Sequence, residues 1–230
     1  MARLGCALLF FFSFLVGNAQ DNKVFYGGFF PEMAISHSFT KTFSSTFKVE
    51  SQHIQFDDRK EEGSRWQYAH YRTDLQGFIG YKHNPFWKFS IGYQYRVDGT
   101  GPDSHRAIQQ VAYVHNSPRV RIGHRLRFDQ TFSKGDEEPE YRVRYRLAVD
   151  IPLEGQTLDP HEFYFITSNE IIAATSGGDN EIENRLVGSL GYFFGKKAKV
   201  EGGLDWRIDK IIAPGLRNRL WLKFGAYLNI

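Results

Sequence analysis

The last fourteen residues, Arg217 to Ile230, read RNRLWLKFGAYLNI and show a period-two pattern. Every even-numbered position from 220 to 230 is apolar. The opposite face carries Arg217, Arg219, Trp221, Lys223, Gly225, Tyr227 and Asn229. Successive side chains of a β-strand point to opposite faces. The pattern therefore predicts a strand with hydrocarbon outside and a polar lumen inside, as in a transmembrane barrel. The alternative is the last strand of a soluble antiparallel sheet.

Similar segments fill the chain from Val24 onward. In residues 199–209, apolar Leu204 and Trp206 alternate with charged Asp205 and Arg207. A helix would spread these charges around its circumference, so the spacing favours strands. The strand-like runs are residues 24–39, 43–56, 66–81, 86–97, 104–115, 119–132, 140–152, 161–174, 182–194, 198–209 and 216–230.

The segments between these runs alternate between compact turns and longer, glycine-rich and acidic loops. Residues 40–42 and 82–85 belong to the compact set, and residues 57–65 and 175–181 to the longer set. Alternating turn classes are typical of an up-and-down barrel. We therefore expect an all-β fold, an antiparallel up-and-down transmembrane β-barrel whose last strand ends in the periplasm.

The pattern contains eleven strand-like runs, which is an odd number. Single-chain bacterial barrels have even strand numbers. Pro31 lies inside the first run, and proline cannot donate to a sheet ladder. Splitting that run at Pro31 and Glu32 into a short hairpin gives twelve strands, which is the preferred prediction. Ten strands with an N-terminal plug segment is the alternative.

The N-terminal residues predict a secretory signal peptide over residues 1–19. Arg3 precedes an apolar run from Leu8 to Val16, and the small residues Gly17 and Ala19 follow it. The outer-membrane barrel would then cover residues 20–230, about 210 residues, enough for one domain. The single cysteine falls within the signal, so we expect no disulfide in the mature chain.

Composition excludes several other classes. After residue 20 no uncharged apolar run approaches the roughly 20 residues that a membrane helix needs. Phe, Trp and Tyr make up 16% of the chain, which favours an aromatic-rich barrel. The net charge of +3 is too small to indicate a nucleic-acid partner. The expected surroundings are outer-membrane lipid, and the expected location is the cell outer membrane.

Charged residues on the inward face are the candidate functional residues. Arginines on two neighbouring runs form a cationic wall, and acids cluster on the runs that follow. Opposed walls would favour small anionic or zwitterionic solutes in a narrow channel. Alternatively, the two sets pair with each other and fill the lumen. The predicted lumen-lining residues are Arg121, Arg125, Arg127, Arg142, Arg144, Arg146, Glu170, Glu183, Glu201, Asp205, Arg207 and Arg219.

We predict no enzyme, and no catalytic, cofactor-binding or metal residues. Membrane-barrel hydrolases place a serine and a histidine together on the outer face. His124 is the one histidine predicted to face lipid, and no serine is identified at a matching depth beside it. The other histidines lack metal-ligand spacing. A lipid-modifying hydrolase remains an alternative function, and a soluble exported barrel binding an apolar ligand through Leu204, Trp206 and Ile208 is another.

The end of the chain resembles the C-terminal signal by which Gram-negative outer-membrane barrels reach their insertion machinery. The matching residues are Lys223, Gly225, Leu228 and Ile230, although the usual last residue is aromatic. The resemblance implies the barrel-insertion machinery as a partner.

The mature chain as a whole resembles small outer-membrane barrels, frequent in Bacteroidetes, that are catalogued as domain of unknown function 2490. The features that carry this resemblance are residues 26–29, residues 124–128 with residues 141–146, and the closing strand from Arg217. The resemblance implies an outer-membrane barrel and no particular chemistry. We therefore expect a narrow passive channel or a structural envelope barrel with an arginine-rich polar lumen.

Overall fold

A computed structural model of the protein describes residues 24–59, 64–117, 119–135, 138–195 and 197–230. The predicted signal peptide, residues 1–19, and the expected start of the mature chain at Gln20 lie outside these ranges. Within them, no helix has the length and apolar character needed to cross a membrane. The strands are β1 (Val24–Ser38), β2 (Phe43–Asp57), β3 (Trp66–Lys82), β4 (Trp87–Asp98), β5 (Ser104–Ser117), β6 (Val120–Ser133), β7 (Glu140–Pro152), β8 (Glu162–Ser176), β9 (Asp179–Gly195), β10 (Ala198–Asp209) and β11 (Arg217–Asn229).

The strands form one closed barrel in sequence order, which confirms the all-β barrel. Consecutive strands pair antiparallel, and β1 and β11 close the barrel by pairing in parallel, from Val24 opposite Arg217 to Ser36 opposite Asn229. We call the barrel end where β1 begins the Val24 end, and the end where β11 stops the Ile230 end. Closure leaves no sheet edge unpaired.

The predicted count of twelve strands is one too high, and the alternative of ten strands with a plug is also wrong. β1 runs unbroken through Pro31, which lies opposite Phe224 of β11. On its other side, the register with β2 passes from Phe29 opposite His53 to Glu32 opposite Glu50. The parallel seam accommodates an odd number of strands, so no extra hairpin is needed.

One predicted loop is instead a tight turn. Residues 175–181 are mostly strand, and β8 turns directly into β9 at Gly177 and Gly178. Both glycines have positive φ, 56° and 87°, as the two central residues of a type I′ hairpin turn require. The strict alternation of short and long connections therefore fails at this hairpin.

The two faces of the wall differ in chemistry. In β10, Leu204 is 51% exposed and the adjacent Asp205 is 3% exposed. Val143 and Leu222 are likewise exposed on the outside, while charged side chains fill the interior. This arrangement is the reverse of a soluble barrel that holds an apolar ligand, because Leu204 and Trp206 face outward.

A small apolar cluster lies inside the barrel beside the parallel seam. It consists of Tyr26, Phe30, Ile54 and Trp221, all nearly inaccessible, with Val24 and Tyr71 packed against it. The rings of Tyr71 and Trp221 stack with centroids 5.9 Å apart. This cluster occupies the part of the lumen that lies beside β1 and β11, the two strands that close the barrel.

Close packing at the seam predicts a glycine requirement. A Cβ at Gly27 would collide with the carbonyl oxygen of Leu220 on β11, whereas one at Gly77 meets open space. We expect Gly27→Ala to lower the free energy of unfolding by about 1–3 kcal/mol, as overpacking does. Gly77→Ala is the matched control, with a change below about 1 kcal/mol. Urea unfolding in detergent measures both, and equal stabilities would contradict a tightly packed seam.

Candidate functional site

The lumen contains two small cavities lined almost entirely by polar side chains. The central cavity has a volume of about 80 Å³, and the second, nearer the Val24 end, about 140 Å³. Arg72, Arg142 and Arg185 line both cavities. These three guanidinium groups therefore mark the boundary between the two spaces.

The predicted lumen residues are distributed unevenly between these spaces. Arg121 does not line either cavity. It lies at the rim near the Ile230 end, where its side chain is 60% exposed and 3.5 Å from Asp150. Glu201 is buried near the same end, where it pairs with Lys199. Those lining the central cavity are Arg125, Arg127, Arg142, Arg144, Arg146, Glu170, Asp205 and Arg207, and those lining the second are Arg142, Glu183 and Arg219.

The arginines of β6 and β7 share a wall, as their antiparallel pairing requires. Arg125 lies opposite Arg146, and Arg127 lies opposite Arg144. Glu170 on the next strand, β8, accepts hydrogen bonds from Arg125 at 2.7 Å and from Arg144 at 2.8 Å. The carboxylate thus stands beside the cationic wall instead of facing it across the lumen.

The acids of β9 to β11 have arginine partners of their own. On β9, Arg185 Nε lies 2.6 Å from Glu183, and on β10, Arg207 Nη2 lies 2.6 Å from Asp205. Arg219 of β11 binds Glu183 as well, at 3.0 Å. Charges of both signs are therefore interleaved around the barrel. Of the two interpretations of the sequence, the geometry agrees with the one in which arginines and acids pair with each other, and it does not agree with separate cationic and anionic walls.

Two carboxylate clusters lie on the Ile230 side of the central arginines. Glu201 accepts a hydrogen bond from Tyr164 at 2.7 Å and pairs with Lys199 at 3.0 Å. Around Glu32, the Tyr227 hydroxyl donates at 2.5 Å and Lys48 pairs at 2.9 Å. Acidic groups with lysine and tyrosine partners therefore occupy this end, in contrast to the arginines at the centre.

Two buried arginines of the central cavity have neutral partners. Arg106, 4% exposed, donates to Thr131 at 2.9 Å and to Gln94 at 3.3 Å. Arg127, 8% exposed, donates to Gln110 at 3.1 and 2.8 Å. Neither makes an ion pair with a carboxylate among the residues that the structure describes. Burying a charge without a counter-charge costs several kcal/mol.

Sequence reasoning missed Arg106 because the pattern of β5 is irregular. Ile108 is apolar, yet it is 1% exposed and points inward with Arg106, while polar Gln109 faces outward. In the sequence, these two residues therefore contradict the pattern of apolar side chains outside and polar side chains inside. The spacing of Ser104, Arg106 and Gln110 at even positions was the available signal. An apolar residue facing the lumen obscured it.

The second cavity adjoins the aromatic cluster, which carries a cation at the Val24 end. Just beyond β2, Arg59 donates two hydrogen bonds to Asp57, at 2.7 and 2.6 Å. These bonds raise the pKa of the Arg59 guanidinium above its ordinary value. The guanidinium carbon lies 4.2 Å from the ring centroid of Tyr26, a cation–π distance. Arg59 therefore covers the Val24 side of the aromatic cluster.

A hydrogen-bonded cluster of polar side chains lies on the outside of β2 and β3. Ser51 Oγ is 2.9 Å from His53 Nε2, and His53 Nδ1 is 3.1 Å from the Tyr68 hydroxyl. The Thr73 hydroxyl is 2.9 Å from Ser51 Oγ and 2.9 Å from His70 Nε2. The prediction that His124 alone faces outward is therefore wrong.

The β3 members of the outside cluster, Tyr68 and His70, were missed because β3 contains a bulge. The pairing of β2 with β3 shifts between Gln52 and His53, where Tyr71 is the extra residue of a bulge. A bulge changes which face the following side chains occupy. Ser51 and His53 follow the regular alternation of β2, between inward Gln52 and Ile54, so the bulge affects only the direction of their β3 partners. His124 itself lies 2.8 Å from the Tyr145 hydroxyl.

No group of three or more histidine, aspartate or glutamate side chains converges in the described part of the chain as ligands would.

Glu170 connects three arginines, so its charge is predicted to be important for stability. Glu170→Gln keeps the shape but leaves Arg125, Arg144 and Arg185 without this carboxylate. We expect a loss of about 3–5 kcal/mol in the free energy of unfolding, because one member of a buried ion-pair network is removed. Glu154→Gln, in an exposed connection, is the control and should change stability little. Equal denaturation midpoints for the two variants would show that the network contributes nothing.

Comparison with known proteins places most of the chain in one family. Neither a curated protein nor a solved structure matches the sequence. The model of a family described as a protein of unknown function, DUF2490, matches residues 27–213, which span β1 to the connection after β10. The chain belongs to the DUF2490 family.

Proposed function

We propose that the protein is an outer-membrane β-barrel with a closed interior, serving as a structural component of the envelope. The observation that carries this proposal is the inversion of an ordinary protein, with apolar side chains outside and ion pairs inside. Ile91, Val143 and Leu204 are more than half exposed, while Asp205, Arg207 and Arg219 are almost inaccessible.

The outside surface favours lipid as its solvent. Apolar side chains are exposed on strands all around the barrel, among them Met33, Ile79, Ile91, Leu126, Val143, Ile171, Leu190, Leu204 and Leu222. Soluble monomers rarely expose contiguous apolar patches above a few hundred Å². In a bilayer the same surface is matched by acyl chains.

Aromatic residues are exposed near both barrel ends. Trp66 and Tyr68 are exposed near the Val24 end, and Phe43, Tyr81 and Trp87 near the Ile230 end. Two such bands are expected where a barrel wall meets the lipid headgroups. They support a membrane position with both ends in water.

The last residues support recognition by the barrel-insertion machinery. Leu228 and Ile230 are exposed, and Gly225 separates them from Lys223. The Lys223 side chain points inward and pairs with Glu32 at 3.3 Å. Leu228 and Ile230 are therefore the residues of this motif that we propose contact the machinery, before or during insertion.

The packed lumen favours a structural barrel over a passive channel. The central cavity has a volume of only about 80 Å³, and ion-paired side chains surround it. The clusters of Glu32 and Glu201 lie on its Ile230 side. A continuous water path would have to break several of these pairs. Breaking one buried pair costs about 3–5 kcal/mol.

Detergent extraction and planar-bilayer recording test this function together. We expect the protein to require detergent for extraction and to migrate faster on gels before boiling than after. Reconstituted alone, it should give flat current traces, whereas Arg144→Ala, which opens the network at Asp129 and Glu170, should produce occasional conductance. Solubility without detergent would contradict membrane insertion. Steady ohmic steps from the unchanged protein would instead identify a channel.

A second candidate function is hydrolysis of lipid acyl esters, which the Ser51–His53 contact favours. His53 Nε2 is positioned to take the Ser51 proton, and Nδ1–H can donate to the Tyr68 hydroxyl, which fixes the ring. Ser51 Oγ would bond to the ester carbonyl carbon, and the departing alcohol would receive the proton from His53. Water would then release the fatty acid and regenerate Ser51. Tyr68 is exposed among the aromatic residues near the Val24 end, where lipid ester groups would lie.

A fluorophosphonate probe, which bonds to activated serines, tests the hydrolase independently of the channel question. We expect labelling of Ser51, and a fall of at least about a hundredfold in phospholipid hydrolysis for Ser51→Ala or His53→Ala. Ser36→Ala is the matched control, because that hydroxyl contacts Thr46 at 3.0 Å and not an imidazole. Absence of labelling, or turnover that survives Ser51→Ala, would remove this function.

A further inference from the structure

We infer that the central cavity is a binding site for a small oxyanion such as inorganic phosphate, entered from the Val24 end and closed at the Ile230 end. This inference concerns the interior alone, so it holds independently of membrane insertion and of lipid hydrolysis. The property that carries it is an excess of buried positive charge around a space of the right size.

The charge balance of the cavity wall is strongly positive. Twelve arginine or lysine side chains line the central cavity, against the five carboxylates Glu32, Glu50, Asp74, Glu170 and Asp205. Three more carboxylates stand beside the wall: Asp129, 3.2 Å from Arg144, Glu140, 3.3 Å from Arg142, and Glu183, 2.6 Å from Arg185. The twelve cations still outnumber these eight acids, and internal pairing leaves a surplus of positive charge that a bound anion would neutralise.

Particular N–H groups are available for that anion. Arg106 and Arg127 have neutral hydrogen-bond partners, so their charge is uncompensated by direct contact. On the same wall, Arg125 Nε, Arg142 Nη2 and Arg146 Nε are buried and have no hydrogen-bond partner in the described chain. Guanidinium groups bind tetrahedral oxyanions through paired N–H donors. These arginines thus provide the donor set that a phosphate group needs.

The volume limits the ligand. A buried water needs roughly 10–15 Å³ of cavity space, so about 80 Å³ admits one five-atom oxyanion and a few waters. A nucleotide or a lipid headgroup with its glycerol would not fit. The same chemistry admits sulfate as well as phosphate.

The two ends of the lumen differ in their effect on an anion. Towards the Val24 end, the second cavity has five cations and four acids on its wall, and its Arg217 and Glu181 side chains are about one third exposed. An anion can enter there and pass the shared Arg72, Arg142 and Arg185. On the Ile230 side, Glu32 and Glu50 of the cavity wall and Glu201 beyond it are acidic, so they repel an anion and hold it towards the arginines. The site therefore holds an anion and does not conduct it.

Isothermal titration of inorganic phosphate into the detergent-solubilised full chain tests the site, at constant ionic strength set with chloride. We expect saturable binding that Arg127→Gln weakens by at least about tenfold, since one charged hydrogen-bond donor is lost. Arg121→Gln is the matched control on the same strand, because its side chain lies at the exposed rim, and its affinity should match the unchanged protein. Sulfate should compete, and chloride should not.

A second variant keeps the test decisive if Arg127→Gln does not fold. Gln110→Glu places a carboxylate 2.8 Å from Arg127 Nη2, where the amide oxygen now lies. This internal counter-charge should raise the melting temperature in phosphate-free buffer and abolish phosphate binding. An unchanged protein that shows no saturable heat of binding would overturn the inference. Equal phosphate affinity in the unchanged and Gln110→Glu proteins would overturn it as well.

Discussion

A guanidinium group taken out of bulk water is costly to bury without a counter-charge, and pairing with carboxylates organises most of the interior of the barrel. Arg106 and Arg127, which have neutral partners, are exceptions. Glu170 lies between Arg125 and Arg144, Arg207 pairs with its strand neighbour Asp205, and Arg219 pairs with Glu183. The buried apolar side chains are few and lie mainly in the cluster around Trp221. The barrel is consequently held by its backbone ladders and its ion pairs, and not by a hydrophobic core. The apolar outer surface can contribute to stability only where its surroundings remove it from water.

Much of the wall could be predicted from the sequence because period-two patterning is local. The alternation in β10, with Leu204 and Trp206 outside and Asp205 and Arg207 inside, follows directly from the spacing of charges. Trp221 follows the same alternation. It lies on the face of β11 that carries Arg219 and Lys223, and it is inside the barrel with no exposed surface. The strand count could not be obtained in this way. Which strand closes against β1 depends on pairing between residues about two hundred positions apart, and Pro31 was too weak a signal to settle it.

The candidate sites were predictable to different degrees for physical reasons. The pair Asp205 and Arg207 is two residues apart on one strand, so its geometry is implied by the sequence. The bridging position of Glu170 depends on the register of three strands, which the pattern does not specify. Arg121 has the inward phase but lies too close to the strand end to line the lumen. For the outside cluster, one bulge at Tyr71 of β3 was enough to hide the direction of Tyr68 and His70.

The parallel pairing of β1 and β11 has a consequence for the path of the chain. Because Val24 lies beside Arg217 and Ser36 beside Asn229, the first and last strands run in the same direction. The start of β1 and the end of β11 therefore lie at opposite ends of the barrel. In a hairpin-closed barrel with an even strand count, a few residues could join the two termini. Here a connecting segment would have to run the length of the seam, about 40 Å at roughly 3.3 Å per residue, through the lumen or along the outside. Circular permutation, simple in even-numbered barrels, would be topologically costly in this one, and labels placed at Val24 and at Ile230 would report from opposite ends of the barrel.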